Sequence, residues 1–338
     1  MIKMSWRKWA VTASAATFGL LAASGYLALN WRPSLQPYSA LAYEPPPAAE
    51  RGLKLQFFGT TTVLLSDGRN SVLVDGFLSR PSWLRLVTTP FGPNTERIDA
   101  ALARATVRRV DAVFVAHSHH DHAMDVGVVA RKTNAKVVGS ASTLSIARGE
   151  DLADDRLMAL QVGEPSRFGD FKVTAYETPH SPTPVFLGSI TEPLVPPAKL
   201  SAYKMAENYS FLVEHPLGRV LIVPSANYTP GMFAGVRADV VLLGIGSLGK
   251  QSEAFAEAYW DETVRQSGAR LVLPIHWDDF GRGLEEPLVP MPYALDDFDT
   301  SMARLHGLAT RDGVTVSLLL AFDPTFLPMQ TIRVDGRP

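Results

Sequence analysis

Short apolar runs recur along this chain, and their length and spacing predict strands. The run Asp111–Ala116 (DAVFVA) is apolar through its middle, the pattern of a strand buried on both faces. Similar runs at Phe171–Tyr176, Ser210–Glu214, Val220–Pro224, Val240–Gly244 and Leu271–Ile275 predict further strands, with another at Lys136–Gly139. Leu53–Leu65 predicts one strand kinked at Gly59-Thr60-Thr61, paired with Ser71–Phe77 across the turn Asp67-Gly68-Arg69-Asn70. Helices are predicted over Ala123–Arg131, Glu253–Ser267 and Asp296–Leu308. Many strands with interspersed helices predict an α/β domain of two packed sheets with helices outside. Periodicity alone leaves other α/β arrangements open.

The pattern changes at the N-terminus. Lys3, Arg7 and Lys8 precede a stretch from Trp9 to Trp31 without a charged side chain, the arrangement of a signal anchor or signal peptide over residues 1–31. The stretch is near the ~20 residues that span a bilayer, though Thr12, Ser14, Thr17, Gly19, Ser24 and Gly25 dilute it. Small residues at Ala22 and Ser24 offer a cleavage site. The apolar continuation through Tyr26, Leu27 and Leu29 favours an uncleaved anchor. Basic residues stay cytoplasmic, so the remainder is expected outside, on the periplasmic side, or secreted if the segment is cleaved. Residues 32–51, rich in Pro and Ala and containing Pro45-Pro46-Pro47, predict an extended linker. The folded domain is then residues 52–338.

Composition narrows the chemistry. The net charge is −2, from 32 basic and 34 acidic residues, which offers nucleic acid no basic track. Cysteine is absent. That excludes disulfides, a thiolate nucleophile and a Cys-ligated metal, so any metal must be held by His and carboxylate. Of the 8 histidines, His117, His119, His120 and His122 crowd into His-Ser-His-His-Asp-His, directly after a predicted strand. His117 and His119, two apart in an extended segment, point the same way and can chelate one ion. Asp121 and His122 enter a helix whose first turn directs them to a second position nearby. Imidazole nitrogen and carboxylate oxygen are a ligand set that zinc accepts.

This H-x-H-x-D-H pattern resembles the metallo-β-lactamase superfamily, and the resemblance runs from about Gly52 to the C-terminus. It implies an αββα sandwich with up to two zinc ions at one edge. By that resemblance His117, His119 and His180 (in Thr178-Pro179-His180-Ser181) hold the first ion. Asp121, His122 and His276 (in Leu273-Pro274-Ile275-His276-Trp277) hold the second. Asp75 matches the acidic residue behind the metal loop, although Asp75-Gly76 reads almost equally as a turn. One departure stands out. Where many members carry a bridging Asp, this chain has Val223-Pro224-Ser225-Ala226-Asn227-Tyr228, so Asn227, or failing that Ser225, takes that place and the second ion is expected to bind more weakly. His120 faces away from its neighbours, and His215 and His306 match no ligand position.

The implied mechanism is attack by a zinc-bound hydroxide on an ester, phosphodiester or amide, with Asp121 orienting or shuttling its proton and Tyr228 or Lys250 as candidate oxyanion stabilisers. The contexts of His180 and His276 are more similar to the branch containing N-acylphosphatidylethanolamine phospholipase D than to true lactamases. With the apolar, Pro-rich Pro182–Leu200 as either a lid or an irregular surface excursion, this points to a small-molecule or lipid-like substrate. Three other readings compete. They are a β-lactamase-type enzyme, an iron-dependent redox protein on the same scaffold, and a membrane-tethered metal-binding pseudoenzyme.

Overall fold

The computed structural model describes residues 24–45, 52–182 and 185–328. Two seven-stranded mixed sheets pack face to face. In the first, β1 (Lys54–Phe57), β2 (Val63–Ser66) and β3 (Ser71–Val74) run antiparallel, and β4 (Ala112–Phe114), β5 (Lys136–Gly139) and β6 (Leu157–Ala159) continue in parallel. The second holds β7 (Pro165–Phe168), β8 (Phe171–Glu177), β9 (Tyr209–His215) and β10 (Gly218–Val223), all antiparallel. It then continues in parallel through β11 (Val240–Gly244), β12 (Leu271–Ile275) and the short β13 (Thr315–Val316). A last strand, β14 (Thr325–Phe326), pairs with β1 and closes the edge of the first sheet.

The apolar run around β4 shows why the layers form. Ala112, Phe114 and Ala116 face the second sheet, where Phe114 lies 5.8 Å from the rings of both Phe168 and Phe211. Val113 and Val115 face the other way, onto the helices Thr95–Arg104 and Val126–Thr133. Both faces are covered, which is what a central parallel strand requires. β3, β4, β8, β10 and β12 all point their C-terminal ends at one edge of the sandwich. Tyr209 N–H donates to the Ala116 carbonyl there (2.9 Å), joining the sheets.

Three expectations change. The predicted kinked strand over Leu53–Leu65 is a hairpin, β1–β2, pairing Lys54 with Ser66 and Phe57 with Val63. Its reversal needs left-handed backbone at Gly59 (φ 92°) and Thr60 (φ 50°), and a threonine there conceals the turn from a sequence reading. The helix from Glu253 is α-helical only to Trp260 and continues as a π turn over Asp261–Arg265. Helices at Trp83–Thr88, Thr95–Arg104 and Ala141–Gly149, capped by Ser82, Asn94 and Ser140, had no clear sequence signal.

The linker expected over residues 32–51 is, in its first part, a packed strap. A 3-10 turn at Gln36–Leu41 places Leu35, Tyr38, Leu41 and Tyr43 against the core, and Arg32 pairs with Asp279 at 2.7 Å. Backbone bonds from Tyr43 N–H to the Leu318 carbonyl and from Leu318 N–H to that of Leu41 fix it to the body. Proline alone does not make a tether when apolar side chains alternate with it. The expected anchor or signal over residues 1–31 lies largely outside the described residues. Residues 24–30 are helical, and no described helix is long and apolar enough to cross a membrane.

If the strap belongs to the fold, losing one of its bonds must register in stability. Tyr38→Phe removes the 2.7 Å hydrogen bond to Asp299 and is expected to lower unfolding free energy by about 1 kcal/mol, measured by urea denaturation. A change indistinguishable from zero would mean that the strap contributes nothing.

Candidate metal centre

β4 ends at Phe114, and a short loop leads to His119, the extended N-cap of a single helical turn at His120–Ala123. This brings His117 and His119 to the same side, with ring centres 4.8 Å apart. His180, three residues beyond β8, completes a trio, 4.8 Å from His117 and 5.1 Å from His119 by ring centres. The helical turn carries Asp121 and His122 round to meet His276 at the end of β12. Asp121 Oδ2 lies 3.5 Å from His122 Nε2 and 3.6 Å from His276 Nε2. Within each trio one ligand atom per residue lies within 4.8 Å of the others. The two groups adjoin, with the His117 and His122 ring centres 3.9 Å apart.

The hydrogen bonds around these rings decide which nitrogen each presents. Asp75 Oδ2 accepts from His122 Nδ1 at 2.8 Å, leaving Nε2 directed at Asp121. The Val185 carbonyl lies 2.8 Å from His119 Nε2 and frees its Nδ1, and the Ser181 carbonyl lies 3.1 Å from His180 Nδ1 and frees its Nε2. Neither nitrogen of buried His117 has a hydrogen-bond partner among the described residues, nor has His122 Nε2. Leaving such groups bare costs about 1–3 kcal/mol each. A cation accepting nitrogen lone pairs removes that cost, and with carboxylate present and thiolate absent the donor set fits a divalent metal.

Protonation states agree. Burial, reinforced by the neighbouring imidazoles, holds His117 well below its ordinary range, and burial takes His180 down to about 4. His119 shifts the same way. Burial would raise the Asp121 carboxyl, but His122, His276 and His120 hold it well below the carboxylate range. His122 moves up, because Asp75 and Asp121 outweigh its burial.

Asp75, read almost equally as a turn residue, sits at φ 57° with both oxygens used. Oδ1 accepts from Ala116 N–H at 2.8 Å, and Oδ2 faces His122 and the Thr61 hydroxyl. Asn227 does not stand between the trios as a substitute bridge. Its Nδ2 donates to the His180 carbonyl at 2.6 Å. Ser225 donates to Asn208, which in turn holds the Thr178 carbonyl, so both residues steady the loop bearing His180. Lys250 donates to the Tyr293 carbonyl and Tyr228 packs on Phe255, and neither hydrogen-bonds a residue of either trio.

His120 turns away into a box of Phe77, Phe91, Tyr203 and Phe280. His306 is exposed on its helix. His215 belongs to a third group with Asp67 and Asp170 at the opposite edge, but both its nitrogens are engaged, by Asp67 and by Leu217 N–H. Sequence reasoning missed Thr61, Arg80, Asn208 and Asp278. The odd turn at Gly59-Thr60-Thr61 was the one local signal.

A two-sheet sandwich with adjoining His/Asp trios at one edge defines a metallo-hydrolase of the metallo-β-lactamase type. The chain belongs to that superfamily: the model of the beta-lactamase superfamily domain matches residues 70–277, which include both trios. It is 25% identical over 174 residues to a UPF0173 protein of Pyrococcus furiosus, covering 52% of this chain and 70% of that protein. It is 33% identical over 89 residues to a UPF0173 metal-dependent hydrolase of Staphylococcus aureus strain Newman, where it spans only 31% of the relative and 26% of this chain. Among solved structures, Igni18, a metallo hydrolase from Ignicoccus hospitalis, superposes with a TM-score of 0.53 at 12% identity, over 82% of this chain and 99% of that one. That likeness shows a shared fold.

The depressed histidines fix the sign of a pH effect. In the unfolded chain they take up protons as pH falls through about 6.5, whereas His180 in the fold waits until about 4. The unfolded state therefore gains protons first, and the metal-free protein is expected to lose stability steadily across that window. His122, shifted upward, opposes this only in part. Urea midpoints measured from about pH 7 to about pH 4 test it, and a rise on acidification would contradict the assignment.

Proposed function

We propose that this protein is a zinc-dependent hydrolase of an ester, phosphodiester or amide, with an amphiphilic substrate favoured. His117, His119 and His180 would hold one ion and Asp121, His122 and His276 a second. The observation that carries this reading is the pair of adjoining trios with bare, buried nitrogens facing inward. The printed name of the Staphylococcus aureus relative, a metal-dependent hydrolase, supports it. Zinc bound there supplies a Lewis acid that polarises the scissile oxygen and acidifies a water molecule to near neutral pH.

The chain's own residues do the rest. Asp121 stays ionised and faces both histidines of its trio, so it can orient a water molecule by accepting a hydrogen bond from it. Asp75 fixes the His122 ring, and Asn227 and Asn208 fix the turn carrying His180. Residues 185–200 would act as a cover, since the Val185 carbonyl reaches His119.

The same segment favours an amphiphile. Val185, Phe186, Leu187 and Val195 are exposed on it. Phe186 also lines a groove of about 490 Å³ of mixed character, with Leu86, Val87, Pro90 and Leu200 beside Thr88, Thr89, Lys199 and Ser201. Such a mixed lining suits an amphiphile, the apolar part against the leucines and Phe186. Tethering of the domain to a membrane by residues 1–31, outside the cytoplasm, belongs to the same proposal and would keep such a substrate close.

Two measurements test this. Protein grown with zinc should contain up to two ions per chain, His117→Ala should lose metal and activity, and His276→Ala should lose mainly the second ion. His306→Ala should match wild type, and equal damage there would refute the ligand assignment. Rates on a phospholipid, a simple phosphodiester, a lactone and a cephalosporin should favour the phospholipid, and Phe186→Ala should weaken KM for it. Dominant cephalosporin turnover unaffected by Phe186→Ala would return the protein to the lactamases.

A further inference from the structure

Arg80 and Asp278 form an ion pair at 2.6 Å with no solvent exposure on either side chain. Removing two charges from water is costly unless hydrogen bonds satisfy what remains. Here they are largely satisfied, and all by one turn. Arg80 Nη2 donates to the Phe58 carbonyl (3.3 Å) and to Thr60 Oγ1 (3.1 Å), and Asp278 Oδ1 accepts from Thr60 N–H (2.6 Å). Gly59 leaves the room for this. A Cβ there would collide with the Arg80 guanidinium and the Asp278 carboxylate.

The turn then reaches the site in two directions. The Thr60 carbonyl accepts from His276 N–H at 2.6 Å. The Thr61 hydroxyl donates to Asp75 and lies 3.0 Å from His122 Nδ1. Thr60, Arg80 and His276 all hold left-handed backbone, at φ 50°, 43° and 58°. Such conformations are unfavourable for residues other than glycine and persist where the surroundings impose them. Both histidines reached belong to the second trio. The first is touched only through backbone, by Asp75 at Ala116.

We propose that Arg80 and Asp278 are positioning residues that set the second metal position, acting through the Gly59-Thr60-Thr61 turn on His276 and His122. The proposal rests on the two-ion reading above. It makes the ion pair a selector between the sites rather than a general support of the fold.

The test is zinc affinity at each site, by chelator competition, for wild type, Arg80→Met, Asp278→Asn and Arg80→Lys, with melting temperature recorded in parallel. Trp260→Phe, which loses a hydrogen bond to Asp312 in the distant helical layer, serves as a destabilised control. The Met and Asn variants are expected to weaken the second ion about 10–100-fold and leave the first unchanged. Arg80→Lys keeps the charge but loses the fork, so it should fall between them and wild type, and it decides the matter if the others do not fold. Equal weakening of both ions, or a second-site loss matched by Trp260→Phe at equal melting temperature, would overturn the proposal. Wild type binding fewer than two ions would instead refute the two-ion reading, and this inference with it. Two ions in wild type with an unaltered second site in Arg80→Lys would refute only the positioning role.

Discussion

The site depends on keeping His117, His119 and His180 uncharged in a crowd of buried imidazoles, with ring nitrogens left bare toward one another. Two positive rings 4 Å apart would repel by about 4 kcal/mol even at an effective dielectric of 20, and His117 and His122 are that close by ring centres. Burial drives His117, His119 and His180 toward the neutral form. Hydrogen bonds donated by the rings to Asp75, the Val185 carbonyl and the Ser181 carbonyl then choose which nitrogen is left. The fold serves this constraint by delivering five strand ends to one edge, so that loops from both sheets meet over a few ångströms.

Much of this was legible in the sequence, for identifiable reasons. β4 and β12 are apolar runs covered on both faces, and such runs are conspicuous. His117, His119, Asp121 and His122 fall within six residues, where local geometry alone dictates a shared direction. His180 and His276 came within reach only through the family resemblance, which places a ligand at each of these predicted strand ends.

What escaped was long-range or disguised. Arg80 and Asp278 meet across 198 positions, and no local pattern links a charge in one loop to a charge in another. The β1–β2 reversal was hidden because apolar residues run up to it and a threonine occupies its left-handed position. Asn227 stands where the family pattern has a carboxylate, but its amide secures the His180 carbonyl, a contact no local pattern reveals. The Pro-rich strap has the composition of a tether, and only the spacing of Leu35, Tyr38, Leu41 and Tyr43, which pack on the core, signals otherwise.

The central claim is that the two trios are the metal positions. The most direct measurement is anomalous diffraction at the zinc edge from crystals of the zinc-loaded protein. The account requires two peaks, one among His117, His119 and His180 and one among Asp121, His122 and His276. Density at Asp67, Asp170 and His215 instead, or at neither trio, would contradict it.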